Sequence, residues 1–127
     1  MIFGIGVDII INQRIRKAFE KWGDRFLTRV YTKTERDYCV GQRFSETSLA
    51  ARFAAKEAFI KAAGVFFPFT LIEVCNDKLG KPYLLLYGGA DDFTKQHGVC
   101  RMHLSISHES THSVAMVVLE SQEAKRQ

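Results

Sequence analysis

Apolar and polar positions alternate over residues 2–10. Phe3, Ile5, Val7 and Ile9 fall on one face and Ile2, Gly4, Gly6 and Asp8 on the other, the period-two signature of a strand. Glycines inside a strand give up side-chain packing and mark a close approach by a ligand or another backbone. From Asn12 the period lengthens. Ile15, Ala18, Phe19 and Trp22 recur at i, i+3, i+4 and i+7, which predicts a helix that Asn12 can cap. Phe26, Val30 and Tyr31 suggest further irregular or helical packing. Thr34 then opens a short helix, with Asp37 near a capping-box position. A long helix is expected from about Thr47 to Ala63, with Gly64 as its C-terminal cap.

The second half reads as strands. "LIEVCNDKLGKPYLLLYGG" is two apolar runs around the turn signal Asp77-Lys78-Leu79-Gly80, a hairpin. A short helix spans about Ala90 to His97 and ends at Gly98. "RMHLSIS" and "SVAMVVLE" form two more strands joined between His108 and His112. The order β-α-α-α-β-β-α-β-β predicts an α+β fold with a mainly antiparallel sheet. Residues 1–120 form a single domain, and the tail "SQEAKRQ" over 121–127 reads as frayed.

The long helix carries the first chemical anomaly. In "RFAAKEAFIKAAG", wound at about 100° per residue, Ala54, Ala55, Ala58 and Ala62 lie on one smooth arc. Arg52, Lys56, Glu57 and Lys61 occupy the other half, but Phe53 and Ile60 sit among them. An ordinary surface helix separates its apolar stripe from its charges more cleanly.

Composition narrows the class. With 127 residues, 46% hydrophobic and 25% charged, the chain suits one globular domain with a real core. Its apolar start lacks a basic residue and is interrupted by two glycines and Asp8. It therefore reads as neither a secretion signal nor a membrane span. Three widely spaced cysteines without a CxxC pair argue against a disulfide framework or zinc site and for a cytoplasmic home. Charge is uneven. Residues 12–36 hold eight Lys or Arg against three acids, a local excess larger than the net +4 of the whole chain. Such a region faces an acidic partner or keeps the protein soluble. Its aromatic residues do not interleave with the cations as a nucleic-acid stacking platform would.

Asp8 and Glu57 are carboxylates in unexpected surroundings. Two hard oxygen ligands with open positions suit Mg²⁺, which keeps waters and takes further ligands from phosphates. Arg52, Lys56 and Lys61 could then supply positive charge to those phosphates. The alternative is an ordinary i, i+4 pair between Glu57 and Lys61, worth a few tenths of a kcal/mol. His103, Ser105 and Ser107 share one strand face, as a phosphate-binding row or as the solvated side of an edge strand. No P-loop or dinucleotide fingerprint is present: "GIGVD" lacks the third glycine and an immediately following helix.

Four stretches in one order, "GIGVDII", "RFAAKEAFIKAAG", "NDKLGKPYL" and "MHLSISHE", closely resemble the holo-acyl-carrier-protein synthases, the short 4′-phosphopantetheinyl transferases. The resemblance runs from about Ile2 to Glu120. It implies Mg²⁺-dependent transfer of 4′-phosphopantetheine from coenzyme A to a serine of apo acyl carrier protein, in support of fatty acid biosynthesis. The other product is adenosine 3′,5′-bisphosphate. Asp8 and Glu57 match the metal ligands, with Glu57, or a water it activates, as the base and Asp8 sharing the catalytic role. Arg52, Lys56, Lys61 and His103 match positions around the phosphates of coenzyme A. Lys81 and Pro82 match a GKP turn near its nucleotide.

The resemblance also implies a homotrimer with active sites between subunits. The basic first helix then becomes a docking surface for the acidic carrier protein, with Arg14, Lys17, Lys21 and Arg25 as contacts. Trp22 and Phe26 are either apolar anchors of that surface or core residues on the i, i+4 pattern.

Overall fold

The computed structural model describes residues 1–40 and 43–122. The first strand, β1 (Ile2–Ile11), and the long helix, α4 (Glu46–Ala63), lie backbone against backbone. A Cβ added at Gly4 would lie 1.9 Å from the Ala62 carbonyl oxygen, and one at Gly6 2.0 Å from that of Ala58. The two glycines therefore admit the helix backbone, not a ligand. The facing stripe is Ala58 and Ala62, so neither partner holds the other away. Ser45 caps the start of α4 by accepting the Ser48 N–H at 3.2 Å. Gly64 ends it in a left-handed conformation, φ 77°, as the sequence predicts.

Between these elements lie α1 (Asn12–Trp22), α2 (Asp24–Val30) and α3 (Lys33–Val40). The segment read as irregular or helical is thus a seven-residue helix of its own, set off by Gly23. Asn12 does not cap α1, whose N-cap is Ile11. Its buried side chain instead donates to the Glu109 carbonyl at 2.9 Å and accepts the Ser113 hydroxyl at 2.7 Å. The capping box of α3 also differs from expectation: it is Thr32 with Glu35, not Thr34 with Asp37. Thr32 Oγ1 accepts the Glu35 N–H at 3.3 Å, and Glu35 Oε1 accepts the Thr32 N–H at 2.9 Å.

A 3-10 turn (Phe69–Leu71) leads into the hairpin of β2 (Ile72–Asn76) and β3 (Pro82–Leu86). Its turn is fixed by Asp77 Oδ1, which accepts the N–H groups of Leu79 at 2.8 Å and Lys81 at 2.9 Å. After α5 (Gly88–Gln96), β4 (Val99–His108) and β5 (His112–Ser121) close the chain. The strands form two antiparallel sheets, β1-β5-β4 and β2-β3, so the predicted α+β class and element order hold. β5 runs one residue into the predicted tail, and residues 123–127 lie outside the described residues.

Register divides the three-stranded sheet into unlike faces. Gly4, Gly6 and Asp8 pair with Leu119, Val117 and Ala115, and beyond those lie Met102, Leu104 and Ile106. This face carries α4 and the core. The opposite face aligns Ile5, Val7 and Ile9 with Val118, Met116 and Val114, then with His103, Ser105 and Ser107. Ile5, Val7 and Ile9 are 61%, 56% and 65% exposed, because among the described residues no element covers them.

Substituting Gly6→Ala should cost roughly 1–3 kcal/mol or more, since its methyl group must push α4 off the sheet. Urea unfolding measures this, and an unchanged midpoint would show that the contact has slack.

Candidate active site

The close contact between β1 and α4 brings residues 8 and 57 together although 48 residues separate them in sequence. Asp8 lies on the inner face of β1, beyond the two glycines, and Glu57 lies half-buried on α4. Lys61, one turn after Glu57, donates to Asp8 Oδ1 at 3.1 Å and to the Val7 carbonyl at 2.9 Å. Burial and the Asp8 carboxylate push the Glu57 carboxyl above the ordinary glutamate range, and Lys61 pulls the other way. The two carboxylates are close enough to repel, with the Lys61 ammonium on Asp8, and are residues that could hold a cation. The pair fits a Mg²⁺ ion that completes its shell with water and phosphate oxygens. Among the described residues no group of three or more His, Cys, Asp and Glu is placed to hold a metal, so the protein would supply only these two carboxylates.

Arg52 lies one helical turn before Lys56 and is buried, 5% exposed. Its Nη2 donates to Asn76 Oδ1 at 2.7 Å, and its guanidinium lies 4.6 Å from the centre of the Tyr38 ring. Its Nε is buried and meets no acceptor among the described residues. It borders a cleft of about 220 Å³ with Ser48, Pro82 and His108. Lys81 and Pro82, from the hairpin turn, share a second cleft of about 360 Å³ with His103 and Tyr83. There His103 Nε2 lies 2.9 Å from Glu120 Oε1, and this contact draws the Glu120 carboxyl below its ordinary range.

Lys56 corrects the expectation of a phosphate contact. Its ammonium is fully buried 2.7 Å from Glu35 Oε1, with the carbonyls of Phe69 and Ile72 as further acceptors. It faces the interior, away from both clefts. Burial pulls the lysine below its ordinary range while Glu35 opposes that shift. Its partner, Glu35, was missed in the sequence. The available signal was Thr32-x-x-Glu35, a capping-box pattern that explains only one of the two roles of Glu35.

Asp8 and His103 do not meet within one chain. Asp8 points toward α4, whereas His103 is on the uncovered face of the same sheet. Asp8 and His103 thus lie on opposite faces of the sheet, while Pro82 borders both the Arg52 cleft and the His103 cleft.

The basic surface holds together. Trp22 is 53% exposed and so is no core residue, while Phe26 is partly buried edge-on to Tyr31. Trp22, Arg25 and Phe26, together with Arg29, line a cleft of about 260 Å³. Lys21 Nζ lies 5.0 Å from the Trp22 ring centre. Arg14 and Lys17 are exposed on α1. Arg29 was not among the sequence-selected contacts.

Comparison with known proteins agrees with this geometry. The model of the 4′-phosphopantetheinyl transferase superfamily matches residues 4–117. The chain belongs to that family. It is 50% identical over 123 residues to a holo-[acyl-carrier-protein] synthase of Halothermothrix orenii, covering 94% of this chain and 98% of that one. The solved structure of the Neisseria meningitidis holo-[acyl-carrier-protein] synthase superposes with a TM-score of 0.87 at 38% identity, over 95% of this chain and 100% of that one. The Bacillus anthracis synthase, solved in complex with CoA (3′,5′-ADP), gives 0.79 at 41% identity, over 96% and 99% of the two chains. The family expected from the four motifs is therefore met. Among the described residues no helix is long and apolar enough to cross a membrane.

Replacing either neighbour of Glu57 should shift its titration, with opposite signs. Asp8→Asn removes a repelling charge and lowers the Glu57 pKa; Lys61→Met removes an attracting one and raises it. Carboxyl-carbon NMR of the metal-free protein measures both, and shifts of the same sign would mean that the three groups do not form one cluster.

Proposed function

We propose that this chain transfers 4′-phosphopantetheine from coenzyme A to a serine of an apo acyl carrier protein, releasing adenosine 3′,5′-bisphosphate. The observation that carries the reading is the Asp8-Glu57-Lys61 cluster at the β1–α4 contact. In the reaction the serine hydroxyl oxygen forms a bond to the β-phosphorus of coenzyme A. The bond from that phosphorus to the bridging oxygen breaks, and the nucleotide leaves with the electron pair. The serine proton goes to Glu57, directly or through a water. Asp8 and Glu57 would hold Mg²⁺, which when bound offsets the charge of the pyrophosphate. Lys61, reaching between α4 and β1, adds a fixed positive charge where negative charge builds on the leaving phosphate. Arg52, at the edge of its cleft, and His103, Lys81 and Pro82 serve the remaining phosphates and the nucleotide.

A homotrimer reconciles the opposite placement of Asp8 and His103. The uncovered apolar face of Ile5, Val7, Ile9 and Met116 gives each copy a surface to bury. In this reading each active site combines Asp8 and Glu57 of one chain with His103 of a neighbour. The cleft around Trp22, Arg25, Phe26 and Arg29 receives the acidic carrier, with an aromatic anchor inside a basic rim. Arg14, Lys17 and Lys21 extend the same field. The reading places the chain in the cytoplasm, in fatty acid biosynthesis, with no part for nucleic acid.

Intact-mass spectrometry of apo acyl carrier protein incubated with the chain, coenzyme A and Mg²⁺ should show a phosphopantetheine-sized gain that EDTA prevents. Asp8→Asn and Glu57→Gln should each reduce transfer by roughly 10²–10³-fold. No gain with several carrier proteins would refute the proposed activity. Separately, Arg25→Glu should raise KM for the carrier while leaving kcat nearly unchanged, most strongly at low salt. An unchanged KM would place the docking surface elsewhere.

A further inference from the structure

α4 carries Glu57, and its contact with β1 allows only the Ala58 and Ala62 stripe to face the strand, which sets its rotation coarsely and leaves the fine setting to other contacts. Buried residues occur all round it, from Leu49 and Ala50 through Ala54, Ala58 and Phe59 to Ala63, so no single apolar stripe selects one rotation. Against β1 it presents small residues, which bring backbones together but interlock little. Side-chain tips lie roughly 5–6 Å from a helix axis, so a turn of about 10° moves them ~1 Å. A productive site tolerates only about 0.5 Å.

Lys56 supplies the fine setting. Its three donors meet three acceptors on separate segments: Glu35 Oε1 on α3 at 2.7 Å, the Phe69 carbonyl at 2.9 Å, and the Ile72 carbonyl at the start of β2. Glu35 is itself held by backbone, its Oε1 accepting the Thr32 N–H and its Oε2 the Val74 N–H, each at 2.9 Å. Both side chains are fully shielded from solvent. Turning α4 either way would strip a buried charge of its partners, which the interior penalises heavily. Glu57 is the next residue, about 100° further round. The rotation that satisfies Lys56 is therefore the one that directs Glu57 toward Asp8.

We propose that Lys56 and Glu35 are positioning residues for the transfer reaction: their buried ion pair fixes the rotation of α4 and thereby the placement of Glu57 opposite Asp8. The proposal rests on the reading of Asp8 and Glu57 as the Mg²⁺-binding pair. Neither positioning residue touches substrate.

The test compares Lys56→Met, Glu35→Gln and the double variant. It reads Mg²⁺ affinity of the purified protein by calorimetry beside urea unfolding midpoints and steady-state kinetics. The double variant leaves no buried charge unpaired, so it should recover most of the midpoint lost in Lys56→Met. Its Mg²⁺ affinity should nevertheless stay roughly 10–100-fold below that of the parent, as when a group that orients a metal ligand is lost. Its kcat should fall with the Mg²⁺ affinity, while KM for coenzyme A moves less than about threefold. A double variant whose Mg²⁺ affinity lies within about fivefold of the parent overturns the proposal.

Phe93→Ala, on α5 where it packs on Phe3 and Phe67, controls for general destabilisation. Should it lose Mg²⁺ affinity as severely, the pair has no special role and the proposal falls. Glu57→Gln separates the two layers. If it binds Mg²⁺ like the parent, the metal reading fails and takes the proposal with it. If it loses Mg²⁺ and the double variant does not, only the positioning role fails. Where Lys56→Met does not fold, Glu35→Gln against Glu35→Asp gives the same comparison, with the Asp variant nearer the parent.

Discussion

The fold depends on one steric condition: a helix backbone lies directly against a strand backbone. Gly4 and Gly6 on β1 and Ala58 and Ala62 on α4 leave no side chain between them. Everything at the candidate active site follows from that contact. It places Asp8 beside Glu57 and lets Lys61 reach the Val7 carbonyl as well as the Asp8 carboxylate. A larger residue at either glycine would move a carboxylate as well as a helix, so packing and chemistry are inseparable here.

The charges of α4 divide between two tasks that the helix keeps apart by rotation. Arg52 and Lys56, four residues apart, face α3 and the β2-β3 hairpin. Glu57 and Lys61, also four apart, face β1. A buried ion pair such as Lys56-Glu35 adds little net stability compared with an apolar pair of the same size, because desolvation offsets the attraction. Its worth lies in rejecting other arrangements. Donors that meet acceptors in only one rotation make that rotation unique, which an alanine surface does not.

The sheet then separates what one chain can do from what copies can do together. Its inner face belongs to α4 and carries Asp8; its outer face is apolar along β1 and β5 and polar along β4, where His103 lies. A strand presents alternate residues to opposite sides, so no adjustment within the chain brings Asp8 and His103 to one ligand. The proposed association of copies would cover the apolar surface that β1 and β5 leave exposed.

Much of this was legible in the sequence. Period-two alternation marked β1, the cap at Gly64 ended α4, Asp77 to Gly80 marked the hairpin turn, and four motifs carried the family. Local rules did less well where a side chain serves a distant element. Asn12 looked like a cap because caps are local, yet it ties α1 to the β4-β5 loop. Lys56 looked like a phosphate ligand because it sits between Arg52 and Glu57, yet it points inward to a glutamate 21 residues earlier. By itself the sequence determined which segments are helix or strand and which residue types could carry the chemistry, since periodicity and turn preferences are properties of neighbours. Only the tertiary structure decided the direction of each charge, because a helical wheel fixes angles between residues and leaves the rotation of the whole helix to its partners.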